Sequence, residues 1–370
     1  MLDLNYIKNV QIMYKKTFYC ILALFNVYYG CAQNKPKNII FLIGDGMGLS
    51  QLSYGVLTQT KTSNFERLPV VGLSKTESSS SKITDSAAGA TAFAIGEKTY
   101  NGAIGVDSLK KTKQTILELA EQKGLATGMI TTCAITHATP AAFIAHQPYR
   151  RMYEEIAMDF LKTDIDVFIG GGFNHFSKRK DSLNLTSTLT KKGYKIYTNE
   201  YDLFHDDTPT TKIAALVAAE HLPKMQDGRG DYESKAFAKA LEVLTPNKQG
   251  FFLMIEGSQI DWGGHENDAT YVQQEVWDFD QVLGKVIDFA EKDGNTLVVV
   301  TADHETGGFA LTPKTGYKGE EYGEIAPSFT SKGHSATMVP VFAYGPGAEQ
   351  FMGIYHNTAI FWKMKNLLGL

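Results

Sequence analysis

The chain has 370 residues, 43% hydrophobic and 21% charged, which are proportions of an ordinary globular protein and not of a disordered or fibrous one. Its 36 basic and 40 acidic side chains leave a net charge of −4, and no basic cluster with interleaved aromatics occurs, so composition gives no reason to expect a nucleic-acid partner. The length would allow two domains, but a large open α/β sheet also occupies it as one.

Lys15-Lys16, the apolar run from Thr17 to Gly30 and the small residues Cys31-Ala32 follow the order of a secretory signal, and the run is too short for a membrane span. Residues 1–33 are therefore expected to be a signal segment, with Met13 an alternative start, and the mature chain is expected over 34–370. Gly30-Cys31 also resembles a lipoprotein cleavage site, but Tyr28 and Tyr29 fit it poorly. Periplasmic or secreted protein is expected ahead of a lipid anchor at Cys31, with no transmembrane span in the mature chain. If Cys20 and Cys31 leave with the signal, Cys133 has no disulfide partner and reads as buried packing.

From Asn38 onward the pattern alternates strand and helix. Asn38 to Ile43 is a continuous apolar run, as in a parallel strand buried on both faces, and it ends in Gly44-Asp45-Gly46-Met47-Gly48. This is not a dinucleotide fingerprint. Asp45 instead puts a carboxylate at the carboxyl end of a central strand, where open α/β sheets bind ligands. In Thr84 to Ala92, Asp85 is an N-cap candidate and Ser86 enters the first helical turn, among unpaired N–H groups that suit an anion. The same stretch also reads as a capped, tightly packed core helix.

A helix is expected at Thr115–Gln122 and a strand at Leu125–Thr131, followed by Thr139 as N-cap and Pro140 as first helical residue of a segment running to His146. Met152–Leu161 reads as helix and Asp166–Ile169 as strand. The polar segment of about 174–231 reads as a surface elaboration, with a helix near Ile213–Leu222. Then come a helix at Ser234–Leu244, a strand at Phe251–Ile255 running into Glu256, a helix at Tyr271–Lys292, strands at Thr296–Thr301 and Pro340–Tyr344, and a closing helix from Ala359. The alternation predicts one three-layer α/β/α domain around a large, mostly parallel sheet.

Acidic and imidazole groups recur where the apolar strands end: Asp45, then Glu256 with Asp261 and His265, then Asp303-His304, with His334 in a later loop. One such residue is ordinarily a loop residue or a cap. Three loaded strand ends point to bound metal, since carboxylate with imidazole suits zinc and carboxylate with hydroxyl suits magnesium.

At these residues the chain resembles the alkaline phosphatase family, over essentially all of it from Asn38. The matching pieces are Ile43-Gly44-Asp45-Gly46-Met47-Gly48, Thr84 to Ala92, His137 to Ala142, Glu256 to Asp261, Thr301 to Gly308 and Gly333-His334, in family order and spacing. The compact length is similar to that of the small bacterial members.

The resemblance implies a phosphate-monoester hydrolase with Ser86 as nucleophile and a phosphoserine intermediate. It implies two Zn2+ and one Mg2+. Asp261, His265 and His334 would hold one zinc, and Asp45, Asp303 and His304 the other. Asp45 would bridge to magnesium held by Glu256 and Thr139. Arg150 falls at the phosphate-gripping position, with Arg151 as its neighbour. His137 stands where some relatives carry an aspartate that orders metal-bound water, and Trp262 where some carry a lysine or a histidine, so both bear on the third metal and on phosphate release. A homodimer and an alkaline optimum are also implied.

Phosphomonoester hydrolysis is very slow without a catalyst, and a neutral serine is a poor nucleophile, so metals must supply much of the stabilisation. The nearest alternative is a phosphodiesterase or nucleotide pyrophosphatase on the same scaffold, although those relatives generally use threonine as nucleophile. A sulfatase lacks support because no Cys-x-Pro-x-Arg segment occurs. A non-catalytic metal- or phosphate-binding surface protein is the remaining alternative.

Overall fold

The computed structural model describes residues 35–314 and 322–370. The signal segment expected at 1–33 lies outside the described residues. From Pro36 to Leu370 the chain forms one compact unit, and among the described residues no helix is long and apolar enough to cross a membrane.

Among the described residues, ten strands make the central sheet. In chain order they are β1 (Asn38–Gly44), β2 (Val70–Lys75), β3 (Ala126–Ala134), β4 (Val167–Gly171), β5 (Lys195–Tyr197), β6 (Ile213–Leu216), β7 (Phe251–Gly257) and β8 (Thr296–Thr301), with β13 (Val339–Tyr344) and β14 (Gly353–His356). Their order across the sheet is β14-β2-β13-β8-β1-β7-β3-β4-β6-β5. Only β13 runs against its neighbours, β8 and β2. Two short antiparallel ribbons lie outside the sheet: β9 (Glu305–Thr306) with β12 (His334–Ser335), and β10 (Phe309–Pro313) with β11 (Ile325–Phe329).

The β1 sequence explains the layers. Its side chains alternate between faces, and both faces are apolar. Ile39, Phe41 and Ile43 enter one core with Ala90 and Phe93 of the helix Ser86–Ile95 and Phe361 of the helix Thr358–Leu368. Ile40 and Leu42 enter the other, with Phe237 of Tyr232–Leu244 and Val276 and Phe279 of Ala269–Asp293. Helices thus cover both faces of a mostly parallel sheet, as expected.

Two local expectations are corrected. The helix expected at Ile213–Leu222 is instead strand β6, ending at Leu216 and paired with β4 and β5. The segment 174–231 therefore supplies two strands of the central sheet. Its all-apolar run Ile213–Leu216 is buried throughout, and the open edge of β4 gives its backbone partners that a helix would not use. Thr139 is not an N-cap. His137 precedes the short helix Ala138–Ala141, and Thr139 sits inside its first turn with its hydroxyl 3.5 Å from Asp45 Oδ2. A carboxylate across the strand ends has taken the hydroxyl that would have capped.

β1, β7 and β8 are adjacent and in register, with Ile43 opposite both Glu256 and Thr301. Thr131 of β3 also lies opposite Glu256. Three strands, β1, β7 and β8, consequently end at one level beside β3, and the charged groups sit at their last residues and in the segments that follow.

Candidate active site

Asp45 follows β1 and is held by its backbone, with its N–H donating to Gly257 O at 3.1 Å. Gly46 next to it has φ +71°, and a Cβ there would lie 2.6 Å from Asp261 Cα, so only glycine lets the turn after β1 approach the helix Gln259–Glu266 this closely. Gly46 N–H donates to Asp303 Oδ1 at 3.1 Å.

Asp85 caps the helix Ser86–Ile95, accepting from Ala88 N–H at 3.0 Å, and places Ser86 as its first residue. Gly89 on that helix leaves only 3.1 Å between a would-be Cβ and Asp303 Cβ, so the helix rests directly on the end of β8. Buried Ser86 then puts Oγ 3.2 Å from His304 Nε2 and 3.5 Å from Asp45 Oδ1. The anion-suited helix start and the metal-suited strand ends are one place.

Asp85 has a second task besides the cap, one that no local sequence pattern signals. Its Oδ1 also accepts from Gly102 N–H, and its Oδ2 receives Arg150 Nη1 at 3.1 Å. Arg150 Nη2 lies 3.5 Å from His137 Nε2. Arg151 is exposed. Of the two arginines, Arg150 is the one beside the serine.

The ligand-type residues fall into three groups whose donor atoms lie within 4.8 Å of one another: Asp45, Asp303 and His304; Asp261, His304 and His334; and Cys133, His137 and Glu256. His265 Nε2 joins the second group at 3.2 Å from His334 Nε2 and 3.4 Å from Asp261 Oδ2. Trp262 packs edge-to-face with His221 at 4.8 Å and His137 at 6.1 Å between ring centroids, a small aromatic wall beside Arg150.

These groups fit bound cations. Among the described residues, buried Glu256 Oε1 has no hydrogen-bond partner and buried Asp303 Oδ2 meets only His304 Nε2, at 3.2 Å, which is costly for carboxylates unless a cation meets them. The imidazoles are oriented for the same purpose. His265 Nδ1 faces Lys332 O and His334 Nδ1 faces Thr84 O, so in the neutral ring each proton is taken up by the backbone and Nε2 is the atom free to bind a metal. Two bare nitrogens 3.2 Å apart repel unless a proton or a metal lies between them.

The protonation balance has the same origin. Burial, with the charges of Asp303, Asp261 and Glu256, pushes the Asp45 carboxyl well above the usual range. Burial lifts Glu256 to about 7. The hydrogen bond to Asp261 raises His265 to about 9. Burial, reinforced by His304, holds His334 down at about 4. Burial, with Arg150 and His221, lowers His137 to about 3. Without cations, protons must do part of the neutralising.

A mostly parallel α/β sheet whose adjoining strand ends gather carboxylates and imidazoles around a buried, helix-borne serine has the architecture of a metal-dependent hydrolase. Comparisons with known proteins give the class its family. The family model for alkaline phosphatase matches residues 36–326. Alkaline phosphatase 3 of Bacillus subtilis is 36% identical, with 89% of this chain and 88% of that protein aligned. The alkaline phosphatase of Escherichia coli K12 is 31% identical over 91% and 87% of the two chains. The solved alkaline phosphatase of the Antarctic bacterium TAB5 superposes with a TM-score of 0.88 at 46% identity, covering 91% of this chain and 99% of that one. The chain belongs to the alkaline phosphatase family and is a phosphomonoesterase.

Proposed function

We propose that Ser86 is the nucleophile of this phosphomonoesterase, and that it forms a phosphoserine which water then cleaves to release inorganic phosphate. The observation that carries the reading is the convergence of Ser86 Oγ, Asp45 and His304 within 3.5 Å at the start of a capped helix. The helix start presents unpaired N–H groups to an incoming phosphoryl group.

Arg150 grips two non-bridging phosphate oxygens through its planar fork, with Asp85 fixing its orientation through Nη1. Asp261, His265 and His334 would hold one zinc, and Asp45, Asp303 and His304 the second, beside Ser86. Asp45, Glu256 and Thr139 would hold a third divalent cation, for which the resemblance implies magnesium. When bound, these cations favour deprotonated oxygens and stabilise developing negative charge. Asp45 faces Ser86 with one oxygen and Thr139 with the other, which suits it to bridge two of the positions. His137 and Trp262 line the phosphate side and tune substrate contact and metal-bound water.

Export to the periplasm or beyond accompanies this reading on the strength of the signal-like order of residues 1–33, and a homodimer on the strength of the family resemblance. Ser86→Ala is expected to keep its metal content and lose at least several orders of magnitude in turnover of 4-nitrophenyl phosphate. Near-normal turnover in that variant would remove Ser86 as nucleophile. Faster hydrolysis of bis(4-nitrophenyl) phosphate by the unaltered protein would move the substrate class to diesters.

A further inference from the structure

Cys133 plays no part in the scheme above, yet its surroundings are unlike those of a packing cysteine. It is a buried free thiol on β3, with Sγ 3.5 Å from Glu256 Oε2 and 3.1 Å from Thr131 Oγ1. Glu256 is fully buried, and the Thr131 hydroxyl donates to its Oε2, so Oε1 is left with no partner. His137 Nδ1 is also buried without a partner. One donor atom from each of Cys133, His137 and Glu256 fits within 4.8 Å.

A thiol, an imidazole and a carboxylate make a poor magnesium site. Magnesium takes oxygen ligands in near-ideal octahedra and keeps several waters, whereas zinc takes sulfur, nitrogen and oxygen together in a tetrahedron. We propose that the third cation is a zinc held by Cys133, His137 and Glu256, in place of the Asp45, Glu256 and Thr139 set that the family resemblance implies for magnesium. The proposal rests on the phosphomonoesterase reading only in assuming that a third cation is bound. On binding, the Cys133 S–H bond breaks, the sulfur–metal bond forms, and the proton leaves to solvent. Ligation through Nδ1 puts the His137 ring proton on Nε2. The 3.5 Å contact from Arg150 Nη2 then opens, leaving Arg150 to Asp85 and the substrate.

The test uses the full chain with its metals exchanged for cobalt. A cobalt–thiolate bond absorbs in the near ultraviolet, whereas cobalt on imidazole and carboxylate alone does not show that charge-transfer band. The spectrum of the unaltered protein minus that of Cys133→Ser should contain the band, and contributions of Cys20 and Cys31 cancel in the difference. Offered zinc and magnesium together, the unaltered protein should hold three zinc ions per chain, and Cys133→Ser combined with His137→Asp should exchange one for magnesium. Identical cobalt spectra with three ions bound, or magnesium replacing one zinc in the unaltered protein, would overturn the proposal. If the variants do not fold, anomalous scattering at the zinc edge on unaltered crystals decides it: a zinc peak about 2.3 Å from Cys133 Sγ supports the site, and no zinc peak there overturns it. Turnover of 4-nitrophenyl phosphate is followed in parallel. Its absence would count against the phosphomonoesterase reading and leave the spectral result standing.

Discussion

Thr306 donates its hydroxyl proton to Asp261 Oδ1, so toward His304 Nδ1, 3.2 Å away, its oxygen can only accept. That fixes the His304 tautomer with Nε2 bare and aimed at Ser86, Asp45 and Asp303. One hydroxyl thereby orients a residue of each proposed zinc position. Losing such an orienting partner typically costs about 10- to 100-fold in metal affinity. Thr306→Val, which keeps the shape and removes the hydroxyl, should lose zinc to a competing chelator by about that factor, while Thr306→Ser retains it. Equal retention in both variants would show that the hydroxyl does not set the ligands. The proposed ligands themselves are legible in the sequence because carboxylates and imidazoles at strand ends are unusual company for apolar runs. Thr306, the Asp85 contact with Arg150 and the environment of Cys133 are not legible. Their residue types are common, and their partners are distant in the chain.

At the scale of elements, the central strands β1, β7 and β8 can be read from sequence because burial on both faces leaves continuous apolar runs. The run Ile213–Leu216 has the same composition, but its sequence period fits a helix as well as a strand. Only the edge of β4 decides between them. The helix Ile116–Gln122 is legible from its capping box, Thr115 with Glu118. The structure adds a tie from this cap to the chain that follows the helix Ala138–Ala141. His146 Nε2 lies 3.0 Å from Glu118 Oε1, and His146 Nδ1 lies 2.8 Å from Gly105 O. Two acceptors favour the doubly protonated ring. Burial opposes the charge, but these hydrogen bonds outweigh it and raise the His146 pKa. A histidine whose folded pKa is raised contributes stability that is complete below its unfolded value, about 6.5, and fades as pH rises through the folded value. His146→Gln should therefore destabilise the protein most in mild acid, and the difference should shrink toward alkaline pH, with urea unfolding at a series of pH values as the measurement. A constant difference across that range would mean that the imidazole charge plays no part.

For the molecule as a whole, the order of strands across the sheet is invisible in the sequence, yet it determines where charge accumulates. Placing β1 between β7 and β8 brings Asp45, Glu256 and Asp303 to one buried level, with Asp261 close by. Folding thus collects carboxylates that an unfolded chain keeps apart, and bound cations are what make that arrangement favourable. Because an unfolded chain has no assembled site, metal binding adds to folding stability: about 4 kcal/mol per site when free metal is 1,000 times its Kd. For a chain of this size that corresponds to roughly 5 °C in Tm for each site emptied. Scanning calorimetry of the loaded, chelated and reloaded protein should show this fall and its recovery. The loss should also be local. Amide exchange should accelerate at the carboxyl ends of β1, β7 and β8, where Gly46 N–H depends on Asp303, and change least at β5 and β6 on the far edge of the sheet. An unchanged Tm after verified metal removal would mean that the carboxylates are neutralised by protons alone, and the site would then be a consequence of the fold instead of one of its supports.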